Sequence, residues 1–199
     1  ILKTQPNLMP LNELGFRIGF GRRLASAVID SAILMTVIGL VFYFTGFFSE
    51  YLAMTEEIKA VASNQTEVVR IYTDFIESQA TNFYFLYLLT LVYYSLEIFI
   101  GASLGKLILN IQIARSDRKK AATGILSFRF FLKNLAVFII LLWIPTQIQA
   151  LSPISSLVSL ITLIGFFFVL GNKRQAFHDM IAKTAVFHKN DIIHDETLI

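Results

Sequence analysis

The sequence predicts an all-α, polytopic membrane protein with four transmembrane helices, both termini cytoplasmic and an outer helical loop between helices 1 and 2. Three observations carry this expectation. Four apolar segments each approach the roughly 20 residues that cross a bilayer. Hydrophobic residues make up 55% of the 199 and charged residues only 16%, with a mean hydropathy of +0.65; such a chain has little polar surface to solvate. Lysine and arginine, finally, avoid one of the loops.

The spans are read at about 24–48, 83–100, 130–148 and 153–170. Only a short polar link containing Pro145 and Pro153 separates the last two, so the prolines are expected to break the helix and turn the chain into a hairpin. Fifteen of the basic residues lie before span one, between spans two and three extended to Lys133, or after span four. Only Lys59 and Arg70 lie between spans one and two. By the positive-inside rule, both termini and the middle loop are cytoplasmic. Residues 49–82, with Glu50, Glu56, Glu57, Glu67, Asp74 and Glu77, face outward. In that loop Val68, Val69, Tyr72, Phe75 and Ile76 recur at helical spacing and predict an amphipathic helix leading into span two. It would cap the outer leaflet or dock a partner. Asn64-Gln65-Thr66 matches a glycosylation sequon, a match short enough to arise by chance.

At this length the whole chain, 1–199, reads as a single membrane domain with tail 171–199. Residues 1–20 contain Pro6, Pro10, Glu13 and Arg17 and lack an apolar stretch, so no cleavable leader is expected within them. With no cysteine, disulfides and thiolate metal sites are excluded. No internal repeat is visible, so any inverted symmetry would have to come from oligomerisation.

Two carboxylates stand inside the spans. A carboxylate there costs about 2.5–3.5 kcal/mol on insertion scales and defaults to a functional reading. Asp30 follows Arg23 by seven residues, two turns along one helical face and about 10 Å apart along the axis. A long arginine could bridge much of that distance; alternatively Arg22 or Arg23 anchors at lipid phosphate and Asp30 is satisfied by a neighbouring helix. Glu97, near the inner end of span two, lies at comparable depth. Asp30 and Glu97 together could hold a cation or proton, because two close carboxylates cannot both stay charged without one. Lys133-Asn134 offers Glu97 a structural ion pair instead, and the sequence leaves both open.

The turn Gly101-Ala102-Ser103-Leu104-Gly105-Lys106 has too few residues between its glycines for a phosphate loop. It reads as a tight turn ending span two, with Lys106 at the lipid surface. Residues 107–114 alternate as a short extended or interfacial segment, and the basic run 115–120 as a solvated turn attracted to anionic lipid. Aromatic interleaving is missing there, so nucleic acid is not an expected partner. His178-Asp179 could titrate near neutrality, but His188 and His194 fall at no common zinc spacing, so no metal site is expected. No nucleophile–base pair can be assembled, so no enzyme and no cofactor is expected.

Arg-Arg-Leu-Ala-Ser-Ala-Val-Ile-Asp at 22–30, Gly-Ala-Ser-Leu-Gly-Lys at 101–106 and Arg-Gln-Ala-Phe-His-Asp-Met-Ile-Ala-Lys-Thr at 174–184 occur in that order. Together they resemble the RDD family of bacterial membrane proteins, named for one arginine and two aspartates, over about residues 16–187. The resemblance places the family arginine on Arg23, with Arg22 adjacent, and the aspartates on Asp30 and Asp179. The Gly-x-Ser/Thr-x-Gly-Lys turn falls on Gly101, Ser103, Gly105 and Lys106. Lys183 departs from the glycine common in the family, and the clear fourth span departs from the many members described with fewer. The resemblance implies a bacterial cytoplasmic membrane protein, a family suspected of transport, with some members linked to sodium–proton exchange.

Two functions follow as expectations. One is a small-cation transporter, sodium against protons, in which Asp30 and Glu97 bind the ion, Arg23 tunes Asp30, and His178 with Asp179 forms a gate or relay. Four helices are few for a lone carrier, so a homo-oligomer is expected. The other is a non-transporting accessory or scaffold subunit of a larger membrane complex, with Arg23, Asp30 and Asp179 tying the helix ends together.

Overall fold

The computed structural model describes residues 15–193; Lys3, His194 and the last part of the predicted tail lie outside them. Helix α1 (Phe20–Phe44) is followed by α2 (Phe47–Ala60), α3 (Gln65–Ser78) and α4 (Ala80–Ile100). A short α5 (Leu104–Ile108) leads into strand β1 (Ile111–Arg115). Then come α6 (Thr123–Lys133), α7 (Leu135–Thr146), α8 (Leu151–Phe167), α9 (Phe177–Ile181) and strand β2 (Thr184–His188).

Three helical stretches are long and apolar enough to cross a membrane: Phe20–Phe44, Ala80–Ile100 and Leu151–Leu170. The fourth candidate is α6 and α7 together, bent by 63°. The bend falls at Asn134, inside the segment expected as one straight span. Asn134 leaves helical geometry (φ −106°, ψ 15°) and its side-chain amide donates to the Phe130 carbonyl at 2.8 Å. A side chain that bonds the preceding turn competes with the helix ladder, which is why asparagine breaks helices.

The hairpin of α7 and α8 forms, but the prolines do not break it. Pro153 lies in the first turn of α8, where a missing N–H is tolerated, and Pro145 lies within α7, one residue before its last. The turn is made by Gln147 in the left-handed region at φ 52°. The first span starts and ends four residues earlier than expected, because Gly46 at φ 78° turns the chain and Phe47 already opens α2. The expected outer helix is two helices. The second, α3, is N-capped by Asn64, whose side chain accepts from Glu67 N–H, so the sequon asparagine has a structural task.

The molecule is mostly helical rather than all-α. β1 and β2 pair antiparallel, with Ile111 opposite His188 and Arg115 opposite Thr184. Alternation along 107–114 announced β1; β2 lay unseen inside the tail. The pair sits among the segment before α1 and the loop before α6: Ile18 N–H donates to Val186 O at 2.8 Å, and Ile18, Ile111, Ile113, Leu126 and Val186 form one core cluster. The segment before α1, the strand after α9 and the middle loop thus share one end of the bundle. Helices α2 and α3 connect α1 and α4 away from this sheet.

Candidate functional site

Next to the sheet, the helix ends converge on three carboxylates that are at most 2% exposed: Asp30 of α1, Glu97 of α4 and Asp179 of α9. Hydrogen bonds link all three into one network. Asp179 Oδ2 accepts from Arg23 Nη1 at 2.5 Å, and its Oδ1 accepts from Arg129 Nε at 2.7 Å. Arg129 continues with Nη1 donating to Glu97 Oε2 at 2.7 Å. Glu97 Oε1 accepts from both Lys106 Nζ at 2.5 Å and Lys133 Nζ at 2.9 Å. Lys106 also donates to Ser103 Oγ at 3.3 Å, and Ser103 donates to Asp30 Oδ2 at 2.6 Å. Asp30 Oδ1 accepts from Tyr93 OH at 2.5 Å and Gly105 N–H at 2.7 Å.

The local chain explains each placement. Gly101 ends α4 in the left-handed region at φ 69°, a cap glycine accepts without strain, and the chain reverses. The reversal brings Lys106 back under Glu97, nine residues earlier. It is therefore 8% exposed and buried on a carboxylate, not at the lipid surface as expected. Gly105 must be glycine for space: a Cβ there would stand 2.9 Å from the Asp30 carboxyl carbon and run into the Ser26 carbonyl. Lys183 occupies the left-handed region at φ 53° just before β2, a conformation that glycine adopts with less strain.

The expected bridge from Arg23 to Asp30 does not form. Side chains lean toward the N-terminus of their helix, so Arg23 reaches away from Asp30. Its Nε donates to Ile18 O at 3.2 Å and its Nη2 to Arg174 O at 2.9 Å. Asp30 consequently meets hydroxyl and backbone donors and no cation among the described residues. Asp30 and Glu97 do not face each other; Ser103 and Lys106 stand between. Of Lys133-Asn134, only the lysine reaches Glu97, and its ammonium also lies 3.9 Å from the Tyr94 ring centre. Arg22 turns to His188.

His178 closes the network's edge. Its Nε2 lies 3.2 Å from Arg129 Nη2 and 3.5 Å from Asp179 Oδ1. Burial, together with the positive Arg129, pushes its pKa down to about 3 despite Asp179, so the ring is neutral and its Nε2 accepts from Arg129. Burial alone would raise the Asp179 pKa, but Arg129 and Arg23 outweigh it and hold the carboxylate far below its usual range.

Sequence reasoning missed Arg129, which joins Glu97 to Asp179. It also missed Tyr93, and Arg17, whose Nη1 donates to Lys173 O and Gln175 Oε1, each at 2.9 Å. Arg129 lies four residues before Lys133, hence on the same face of α6, and that spacing was the available signal. No group of three or more histidines and carboxylates that could hold a metal occurs among the described residues.

The apolar helices and the charge network at their ends define a multi-pass helical membrane protein with a built polar centre. The RDD family model matches residues 17–183, most of the chain, and the protein belongs to the RDD family. No curated protein and no solved structure matches the chain.

Proposed function

We propose that this protein exchanges small cations, sodium against protons, across the bacterial cytoplasmic membrane, with both termini cytoplasmic and Asp30 and Glu97 as its ion-handling carboxylates. The observation that carries the reading is the oversupply of cations at Glu97. Two lysine ammoniums share Oε1 while Arg129 holds Oε2. A sodium ion joining that carboxylate would compete with the lysines for Oε1, so its entry is coupled to a redistribution of positive charge around Glu97. Ser103, touching both Lys106 and Asp30, joins this carboxylate to the one in the network that accepts from no cation among the described residues. Arg23, Arg129, Asp179 and His178 hold the helix ends around this exchange. Four spans favour a homo-oligomer or membership in a larger complex.

The test is proton movement in proteoliposomes, read by a pH-sensitive dye on imposing a sodium gradient. Exchange by the natural protein and its loss in Asp30→Asn, with the variant still folded in the membrane, is the expected result. Flux that survives Asp30→Asn overturns the site.

One observation favours an accessory or scaffold role instead: each network carboxylate already accepts hydrogen bonds on both oxygens, as a structural tie would. Under that reading the natural protein shows no flux, and Asp30→Asn lowers folded yield.

A further inference from the structure

Away from the charge network, a crevice of about 530 Å³ opens between α3, α4, α7 and α8. Its size lies within the roughly 300–1,000 Å³ of small-molecule sites. The crevice exists because α3 has two apolar faces and uses only one. Ile71 is 5% exposed, and the Phe75 ring lies 5.7 Å from that of Phe47 on α2. One position further on, Tyr72 and Ile76 stay 55% and 37% exposed and look into the crevice. Phe83 and Tyr87, a turn apart on α4, form its floor, and Ile140, Trp143 and Ile144 of α7 the facing wall.

Polar groups also contribute to the lining. Gln147, Ser152 and Ser156 come from around the α7–α8 turn and Glu77 from the last turn of α3. Glu77 is the only charged residue in the lining. It forms no ion pair among the described residues, whereas the nearby cations are engaged: Lys59 with Glu56, and Arg70 with Glu67 and Asp74. The helical cap therefore presents uncompensated negative charge beside an apolar slot, with an indole in its wall.

We propose that this crevice binds an amphiphile with a positively charged ammonium head and an apolar tail, the head at Glu77 and the tail along Phe83, Tyr87 and Trp143. A carboxylate supplies the charge complement, and an aromatic face adds attraction for a cation. The same chemistry is carried by a free alkylammonium and by the amine of a phosphatidylethanolamine headgroup.

Trp143 is the only tryptophan in the chain and reports on the site directly. Full-length protein in nanodiscs of phosphatidylglycerol, which carries no amine, is titrated with dodecyltrimethylammonium while indole emission is followed. The expected result is a saturable change that dodecyl sulfate does not produce and that Glu77→Gln weakens about tenfold in apparent affinity. Glu77 is exposed, so its substitution spares the fold. Repeating the titration in discs containing phosphatidylethanolamine separates the sources: a weaker apparent affinity there means the lipid amine occupies the site, and an unchanged curve means a free amphiphile does. Equal affinity for the natural protein and Glu77→Gln, or an equal response to dodecyl sulfate, overturns the proposal.

Discussion

The two ends of this bundle use ion pairs in opposite ways. At the sheet-bearing end, Arg129 joins Glu97 and Asp179 with side chains no more than 4% exposed. In the helical cap, Arg70 joins Glu67 and Asp74 within α3, with side chains 36–61% exposed. Each arginine serves two carboxylates at similar distances, so geometry alone would rank them as equals. Burial separates them. Exposed pairs contribute about 0–1 kcal/mol, since water and salt screen them. Removing one partner of a buried pair costs about 3–5 kcal/mol, because the other charge stays behind without water. The polar network is thus where the molecule is most sensitive, and the cap is where it tolerates change.

That contrast can be broken or sharpened by experiment. Arg129→Met is expected to have the largest effect, a loss of about 3–5 kcal/mol, because two carboxylates lose a shared cation. A fall in thermal midpoint in detergent no greater than that of a cap variant would erase the contrast. Gly105→Ala probes the packing beneath the network rather than its charge. Its Cβ would press on Asp30 and on α1, at an expected cost of about 1–3 kcal/mol. An unchanged midpoint would show that the close approach of α5 to α1 is not tight.

Acid should loosen the sheet-bearing end through His178. Its folded pKa, about 3, lies below the ordinary 6.5, so the folded state binds fewer protons than an opened one. Stability is then full above pH 6.5 and falls as the pH drops from there toward 3, by about 1 kcal/mol on reaching pH 5.5. His178→Gln should flatten the midpoint against pH over that interval; identical slopes would sink the assignment. Asp179 acts in the same direction once the pH nears its ordinary 3.8, so the His178 comparison is read between pH 6.5 and 5.5. Arg70→Ala should have the smallest effect, leaving the thermal midpoint unchanged, because water and salt screen its exposed pairs. A fall would mean that the cap's surface pairs matter after all.

Much of the architecture was legible because it rests on hydrophobic runs and apolar periodicity, which act locally. The long apolar helices follow from the runs, and the helical 49–82 segment and β1 from periodicity. The 63° bend was not, since one asparagine among apolar residues leaves mean hydropathy almost unchanged. In the candidate site, Asp30 and Glu97 stood out as carboxylates inside apolar sequence, Asp179 stood out through the His-Asp pair and the family resemblance, and the Glu97–Lys133 pair was one of two readings left open. Their other partners were hidden. Arg129 looked like one of many basic residues marking orientation, and Lys106 like a surface anchor, until the left-handed turn at Gly101 folded it inward. Arg23 was paired with the wrong aspartate because spacing along a helix says which face a residue occupies but not which way a long side chain leans.

The bond between Arg23 and Asp179 also bears on how the protein is made. The two residues are 156 positions apart, a gap a ribosome working at about 5–20 residues per second takes roughly 8–30 s to cross. Throughout that time the first helix carries an arginine whose acidic partner does not yet exist. Until α9 is made, the Arg23 guanidinium lacks the carboxylate it meets in the folded protein, and a product cut short after α8 would keep Arg23 and Arg129 without Asp179.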